Sequence, residues 1–152
     1  MIVTEKIKIT SKELFQIYIT SYFKRRWWMV LWIWVTIAIL LFRESNATFD
    51  YFIIAALIAI QLVIAYQFWG NAKSTDIQEK FYEIDPDKTV IIAQNGTTTS
   101  IENSLFISVL KVRSYYLLYT TKVEFIVLPI SSFKNLEDRT WFENNVIAKI
   151  KK

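Results

Sequence analysis

The fold is decided by residues 27–42, WWMVLWIWVTIAILLF, and by residues 51–69, YFIIAALIAIQLVIAYQFW, neither of which contains a charged residue. As helices these stretches would be about 24 and 28 Å long, close to the roughly 30 Å hydrocarbon core of a bilayer. Neither shows a polar stripe at the 3.6-residue helical period, so a buried helix pair in a soluble protein is much less favoured. The two stretches therefore predict a transmembrane hairpin.

The orientation of this hairpin follows from the charges that flank it. Lys24, Arg25 and Arg26 precede the first stretch and Lys73 follows the second, while the connection, residues 43–50, has a net charge of −1. Because Lys and Arg concentrate on the cytoplasmic side of membranes, we expect both termini in the cytoplasm. The basic cluster is better explained by this topology than by a specific lipid site.

Aromatic residues mark the expected membrane boundaries. Tryptophan and tyrosine pair an apolar body with a hydrogen-bonding edge, which suits the headgroup region. We expect Trp27, Trp28 and Trp69 at one boundary and Tyr51 at the other. Together with the basic cluster these residues form the predicted membrane-interface set.

A second set of residues is expected to make contacts inside the membrane. Trp32 and Trp34 lie too deep for their N–H groups to meet headgroups, so we expect them to face the second helix or a protein partner. A hydrogen bond between Gln61 and Thr36 is favoured over a role for Gln61 in oligomerisation or transport. Ala55 and Ala59, one turn apart, would let the two helices approach closely.

Composition excludes many kinds of site. The chain has 152 residues, 53% of them hydrophobic, with no Cys, no His and only two Gly. It therefore lacks the residues for a disulfide scaffold, a histidine or cysteine nucleophile system, or a glycine-rich nucleotide loop. We expect no enzyme activity, no cofactor and no metal. The net charge of +4 comes entirely from residues 1–26, which hold six basic and two acidic residues, so no nucleic-acid partner is expected.

The chain is predicted to have three parts: residues 1–26, residues 27–69 and residues 70–152. In the first, an alternating stretch at 2–9 predicts a strand, and Thr10 to Glu13 form a capping box that starts an amphipathic helix. This helix would run into the first apolar stretch as one rod. Leu14, Ile17, Tyr18 and Ser21 share one of its faces.

The third part, residues 70–152, predicts six strands and a C-terminal helix. Asp85-Pro86-Asp87 and Asn95-Gly96 read as turns, and a further tight turn is expected at Thr121-Lys122. The strands are expected at 81–84, 88–94, 97–102, 105–112, 115–120 and 123–128. Asn135 would cap the helix, and the strand at 2–9 could return to the sheet as a seventh strand. The predicted class is an α+β membrane protein with a strongly bent antiparallel sheet, or partial barrel, closed by the helix.

Two apolar helices, Asn95-Gly96, and the stretches 104–112, 115–119 and 126–133 together resemble the YcxB-like family of bacterial membrane proteins. Phe106 departs from the pattern, since that family usually has Trp there. The resemblance implies a protein of the bacterial inner membrane that carries a pleckstrin-homology-like (PH-like) domain on the cytoplasmic side. It implies no particular activity, because the family has no general assigned one.

The leading functional hypothesis is a non-enzymatic accessory or interaction subunit that binds another membrane protein or a second copy of itself. One alternative is an immunity or self-protection protein against membrane-active peptides. Another is an accessory subunit of a transporter or membrane enzyme. The sequence does not identify the partner or the biological process.

Overall fold

The structure, a computed structural model, describes residues 1–43, 48–74 and 79–150. Two long apolar helices and two antiparallel sheets make it an α+β protein. The chain divides into a hairpin unit, Thr10–Asp76, and a sheet unit formed by Met1–Ile9 and Ile77–Lys152. Within the connection of the hairpin, residues 44–47, whose charges enter the predicted orientation, lie outside the described residues.

The hairpin unit consists of α1 (Ser11–Phe42) and α2 (Thr48–Ser74). The predicted capping box is confirmed: the Thr10 hydroxyl accepts from the Glu13 backbone N–H, and the Glu13 carboxylate accepts from the Thr10 N–H. The rod is kinked, because Arg26 has a non-helical backbone conformation with φ −125° and ψ 24°. Both helices are long and apolar enough to cross a membrane.

The sheet unit contains two antiparallel sheets. The first has the strand order β1-β2-β3-β4, with β1 at Ile2–Val3, β2 at Lys80–Ile84, β3 at Lys88–Ala93 and β4 at Thr98–Glu102. The second has the order β5-β6-β7, with β5 at Ser108–Val112, β6 at Tyr115–Tyr119 and β7 at Phe125–Pro129. In the described residues the sheets do not close into a barrel, so the single bent sheet expected from the sequence is replaced by two.

The N-terminal strand returns to the sheet as predicted. Ile2 pairs with Ile84 and Val3 with Glu83, so β1 lies antiparallel to β2. The strand is shorter than the expected 2–9 because the Thr4 hydroxyl accepts from the Tyr82 N–H and the Glu5 N–H turns away to the Ser132 carbonyl. Pairing resumes only as an isolated bridge between Ile7 and Lys80. In the sequence, the hairpin unit thus lies between two strands that are neighbours in one sheet.

Two of the three predicted turns form at the expected residues, and the third is longer than expected. Residues 85–87 connect β2 to β3, and Asn95-Gly96 connect β3 to β4, with Gly96 at φ 82°, where glycine is favoured. The tight turn expected at Thr121-Lys122 is a longer connection, because the Thr121 hydroxyl accepts from the N–H groups of Val123 and Glu124. Strand β7 therefore begins at Phe125 instead of at Val123.

The core of the sheet unit joins both sheets to the C-terminal helix. Tyr82 of β2 donates a hydrogen bond of 3.0 Å to the Val127 carbonyl of β7, and burial raises the pKa of Tyr82 to about 12. Helix α3 (Leu136–Phe142) starts at the predicted Asn135 cap, which accepts from the Asp138 N–H. A π-helical turn at Glu143–Ile147 and α4 (Ala148–Ile150) continue it, and Phe142 and Val146 are fully buried.

Candidate membrane hairpin and its interface residues

The two helices of the hairpin pack along a seam with coiled-coil spacing. On α1 the buried or half-buried side chains past the kink are Met29, Val30, Ile33, Ile37 and Leu40. On α2 they recur at a similar spacing: Asp50, Ile53, Ile54, Leu57, Gln61, Ile64, Ala65, Phe68 and Ala72. Intervals of three and four residues keep one face of each helix turned toward the other. The other apolar side chains of residues 27–42 and 51–69 are exposed.

An aromatic cluster fixes how the helices are paired at the open end of the hairpin. The Phe15 ring lies edge-on to the Trp69 ring with 5.2 Å between centroids. Phe68 packs against Tyr18 and Tyr22, at 5.8 and 5.6 Å. The start of α1 therefore lies beside the end of α2, and the two helices run antiparallel.

This pairing corrects the expected placement of three tryptophans at one boundary. Trp69 is level with Phe15, and twelve residues of helix separate Phe15 from Trp27, a distance of about 18 Å along α1. Trp27 and Trp28 are thus far from the level of Trp69. The sequence placed them together because each lies at the end of an apolar stretch, but α2 continues as an apolar helix beyond the level at which α1 becomes charged.

The basic cluster lies at the kink of α1. Lys24, Arg25 and Arg26 are all exposed, and the Arg26 guanidinium lies 6.0 Å from the centre of the Tyr22 ring. At the end of α2 the Lys73 ammonium lies 5.3 Å from the Trp69 ring. Both cations can therefore interact with an aromatic face while remaining exposed.

The expected hydrogen bond between Gln61 and Thr36 is not formed. The Thr36 hydroxyl donates to the Trp32 carbonyl of its own helix, at 2.8 Å. The Gln61 amide nitrogen is buried in the seam and has no acceptor among the described residues. The offset of the two helices explains this, because with Trp69 level with Phe15, Gln61 lies near the level of Phe23, about 20 Å along α1 from Thr36. The Thr36 hydroxyl bonds back to its own helix, as threonine in a helix readily does.

The other expected intramembrane contacts are also absent from the seam. Trp32 and Trp34 are 65% and 59% exposed, and Ala55 and Ala59 are exposed as well. Ala55 and Ala59 thus lie on the outer face of α2, and the alanines of the seam are Ala65 and Ala72. Tyr51 is exposed in the first turns of α2, 18 residues or about 27 Å along that helix from Trp69.

Sequence reasoning missed two polar groups of the seam. Three buried side-chain polar atoms of the described residues lack a hydrogen-bond partner: the Tyr22 hydroxyl, a carboxylate oxygen of Asp50 and the Gln61 amide nitrogen. All three belong to the hairpin unit. The signal available in the sequence was their polar side-chain type beside or within apolar helices. Unpaired buried polar groups are costly, so this unit has hydrogen-bonding capacity that the described residues do not fill.

The sheet unit carries a small polar cluster at the π-helical turn. The Tyr116 hydroxyl donates to the Glu143 carboxylate, and the Arg139 Nε donates to both, at 3.2 Å each. The Lys111 ammonium lies 5.7 Å from the Tyr116 ring. Burial and the bond to Glu143 raise the pKa of Tyr116, and the same bond lowers the pKa of Glu143. This cluster ties the helix to β6.

Comparison with family models, curated proteins and solved structures finds no match for this chain. The resemblance to YcxB-like proteins therefore stays a prediction. Among the described residues there is also no group of three or more acidic side chains that could hold a metal ion.

Proposed function

We propose that this chain is a non-enzymatic integral protein of the bacterial inner membrane. In this proposal the helical hairpin anchors the sheet unit at the cytoplasmic face, where the protein acts as an interaction or accessory subunit of a larger complex. The observation that carries the proposal is a long apolar hairpin that leaves one sheet and returns to the same sheet.

The surface of the hairpin supports a lipid environment. Only 6% of the most apolar window of α2 is buried within the chain, and large side chains such as Trp27, Phe49 and Tyr66 are more than half exposed. A soluble protein rarely leaves so large a continuous apolar surface in water. The hydrocarbon core of a bilayer would cover it.

The pairing of β1 with β2 supports a double crossing. Residues 2–3 precede the hairpin and residues 83–84 follow it, yet they are neighbours in one sheet. Both ends of the hairpin must then lie on one side of the membrane. Together with the positive flanks this favours two crossings with both termini in the cytoplasm.

The proposal extends the family resemblance to the sheet unit. A PH-like domain is the assignment that we infer for it, because two antiparallel sheets are followed by a single C-terminal helix. A partner-binding role is favoured over catalysis since the chain has neither His nor Cys. The unfilled polar atoms of the hairpin support a partner beside it.

Topology is tested by single cysteines, because the chain has none of its own. Thr48→Cys and Lys149→Cys are both exposed positions at opposite ends of the proposed arrangement. A membrane-impermeant maleimide should label Thr48→Cys from outside intact cells and Lys149→Cys only after permeabilisation. Labelling of both cysteines under the same condition would contradict the double crossing.

The accessory role is tested by purification in a mild detergent from the native membrane. We expect the full chain to migrate as a complex with a reproducible protein companion, or as an oligomer, identified by mass spectrometry. A monodisperse monomer without a companion would contradict the role and leave the membrane topology intact.

A further inference from the structure

The outward face of α1 carries an apolar stripe with coiled-coil spacing. Trp28, Trp32, Val35, Ile39 and Phe42 follow each other at intervals of four and three residues, and all are exposed. They form what we call the outer stripe. The opposite side of the same helix faces α2, so the outer stripe is free to contact another molecule.

Lipid alone does not provide a hydrogen-bond acceptor for the Trp32 indole N–H of this stripe. Trp32 lies five residues, or about 8 Å, beyond Trp27 along α1, below the level of the headgroups in the proposed arrangement. Its indole N–H has no acceptor among the described residues, and lipid tails offer none. A hydrogen-bond acceptor at that depth has to come from protein or trapped water.

The same helix face carries a suitable acceptor. Thr36 lies one turn after Trp32, is exposed, and uses its only hydroxyl proton on the Trp32 carbonyl. Its oxygen therefore keeps lone pairs that can accept. Because the hydroxyl folds back toward Trp32, the oxygen lies less than a full turn from the level of that residue.

We propose that two copies of this chain associate in the membrane through their outer stripes, with each Trp32 indole donating to Thr36 of the other copy. Copies inserted with the same topology are related by a two-fold axis along the membrane normal, which brings equal residues to equal depth. The contact is isologous, so it contains two such hydrogen bonds, each from Trp32 of one copy to Thr36 of the other. The inference rests on the proposed membrane location and names the partner as a second copy.

Disulfide formation between copies tests the geometry. Phe42 and Phe49 are both phenylalanines near the connection, 88% and 70% exposed, but only Phe42 belongs to the outer stripe. With the full chain in bilayers, mild oxidation should crosslink Phe42→Cys into a dimer and leave Phe49→Cys largely monomeric. Equal or lower yield for Phe42→Cys would overturn the proposed interface.

Dimerisation energetics test the hydrogen bonds. Each intramembrane hydrogen bond is worth about threefold in affinity, so Trp32→Phe and Thr36→Val should each weaken dimerisation about tenfold. The double variant should weaken it no further, because both changes remove the same two bonds. Trp34→Phe is the matched control, since Trp34 is exposed on the same helix but lies outside the outer stripe, and it should change affinity less than threefold. Additive losses, or equal effects of Trp32→Phe and Trp34→Phe, would overturn the assignment.

Membrane extraction separates the two proposals. If alkaline carbonate releases the chain from membranes without detergent, the membrane location fails and the dimer fails with it. If the chain resists extraction yet stays monomeric when its ratio to lipid is raised, only the dimer fails.

Discussion

Gln61 shows how the offset between two paired helices can leave a single polar residue without a partner in an apolar seam. The threonine that the sequence offers as its partner lies about 20 Å along α1 from the level of Gln61 and donates its hydroxyl proton to the Trp32 carbonyl. The amide nitrogen is left buried and unpaired among the described residues. Burying an amide without a hydrogen-bond partner costs free energy, so Gln61 lowers the stability of an isolated hairpin.

We therefore expect Gln61→Leu to stabilise the hairpin of the monomeric chain by about 1 kcal/mol, because it replaces an unpaired amide by an apolar group of similar volume. The matched control is Gln67→Leu, which changes an exposed glutamine on the same helix and should have little effect. Denaturing-detergent titration of the full chain in mixed micelles measures both. A loss of stability for Gln61→Leu would reveal an acceptor supplied by water or by another molecule.

At Tyr116 the prediction concerns pH. Hydrogen bonding to Tyr116 holds the pKa of Glu143 below its ordinary value of 4.5 in the folded chain. A lowered folded-state pKa contributes stability above the ordinary value and loses that contribution as the pH falls through the folded-state value. Tyr116→Phe should thus destabilise the sheet unit by about 1 kcal/mol at neutral pH and by less in acid.

Urea titration with limited proteolysis of the full chain in mild detergent measures this difference at neutral pH and well below the ordinary glutamate pKa. The Glu143→Gln variant should show the same weakened dependence on pH. A Tyr116→Phe effect that is equal at both pH values would contradict the role of the Glu143 carboxylate.

At the scale of elements, the hairpin is longer than a bilayer is thick. Helices α1 and α2 have 32 and 27 residues, or about 48 and 40 Å, against a hydrocarbon core of about 30 Å. The aromatic cluster of Phe15, Tyr18, Tyr22, Phe68 and Trp69 lies at the excess end, past the basic cluster. In the proposed membrane arrangement this end forms a short paired stalk on the cytoplasmic side.

Depth-dependent quenching tests the stalk. In single-tryptophan variants of the full chain, Trp69 should be quenched by aqueous acrylamide and spared by brominated lipid tails, with Trp34 showing the reverse. Trp27 should fall between them. Equal depths for Trp27 and Trp69 would contradict the pairing of Trp69 with Phe15.

Sequence patterns predicted most elements of the fold but not how the two long helices are paired. The capping box at Thr10, the Asn95-Gly96 turn and the Asn135 cap are local signals, so they could be identified from a few neighbouring residues. The offset between α1 and α2 depends on which aromatic rings meet across the hairpin. No local pattern encodes that choice, nor the π-helical turn at Glu143–Ile147, which depends on tertiary packing.

The candidate site was predictable to a smaller degree. Apolar length identified the hairpin, and charge identified the cluster at Lys24 to Arg26. Which face of each helix turns outward could not be predicted, because nearly every residue of both stretches is apolar. Ala55 and Ala59 consequently lie on the outer face, where the sequence suggested the seam.

At the scale of the whole molecule, the first nine residues belong to a unit whose other members begin about seventy residues later. Ile2 and Ile7 are buried in the core of that unit, beside Tyr82 and Ile84. The N-terminal segment is therefore a structural part of the sheet and its loss should be felt there.

Ile2→Ala should destabilise the sheet unit by about 2 kcal/mol, at the low end for buried aliphatic truncations because a two-residue edge strand can relax into the space. Hydrogen exchange of the full chain should show faster exchange at 80–84, the partner strand. Lys6→Ala, an exposed change in the same segment, is the control and should leave that exchange unchanged. Protection at 80–84 that survives Ile2→Ala would contradict a stabilising role for β1.

The insertion of the hairpin between β1 and β2 also constrains biosynthesis. In the proposed membrane arrangement, the first strand leaves the ribosome long before its neighbour at 80–84 has been synthesised, so it stays unpaired while both apolar segments insert into the bilayer. A nascent chain that crossed the bilayer only once would place β1 and β2 in different compartments and leave β2 unpaired at Ile84. Pairing of β1 with β2 would therefore indicate that both apolar segments had inserted. A chain with a single crossing would expose an unpaired strand edge to quality-control proteases.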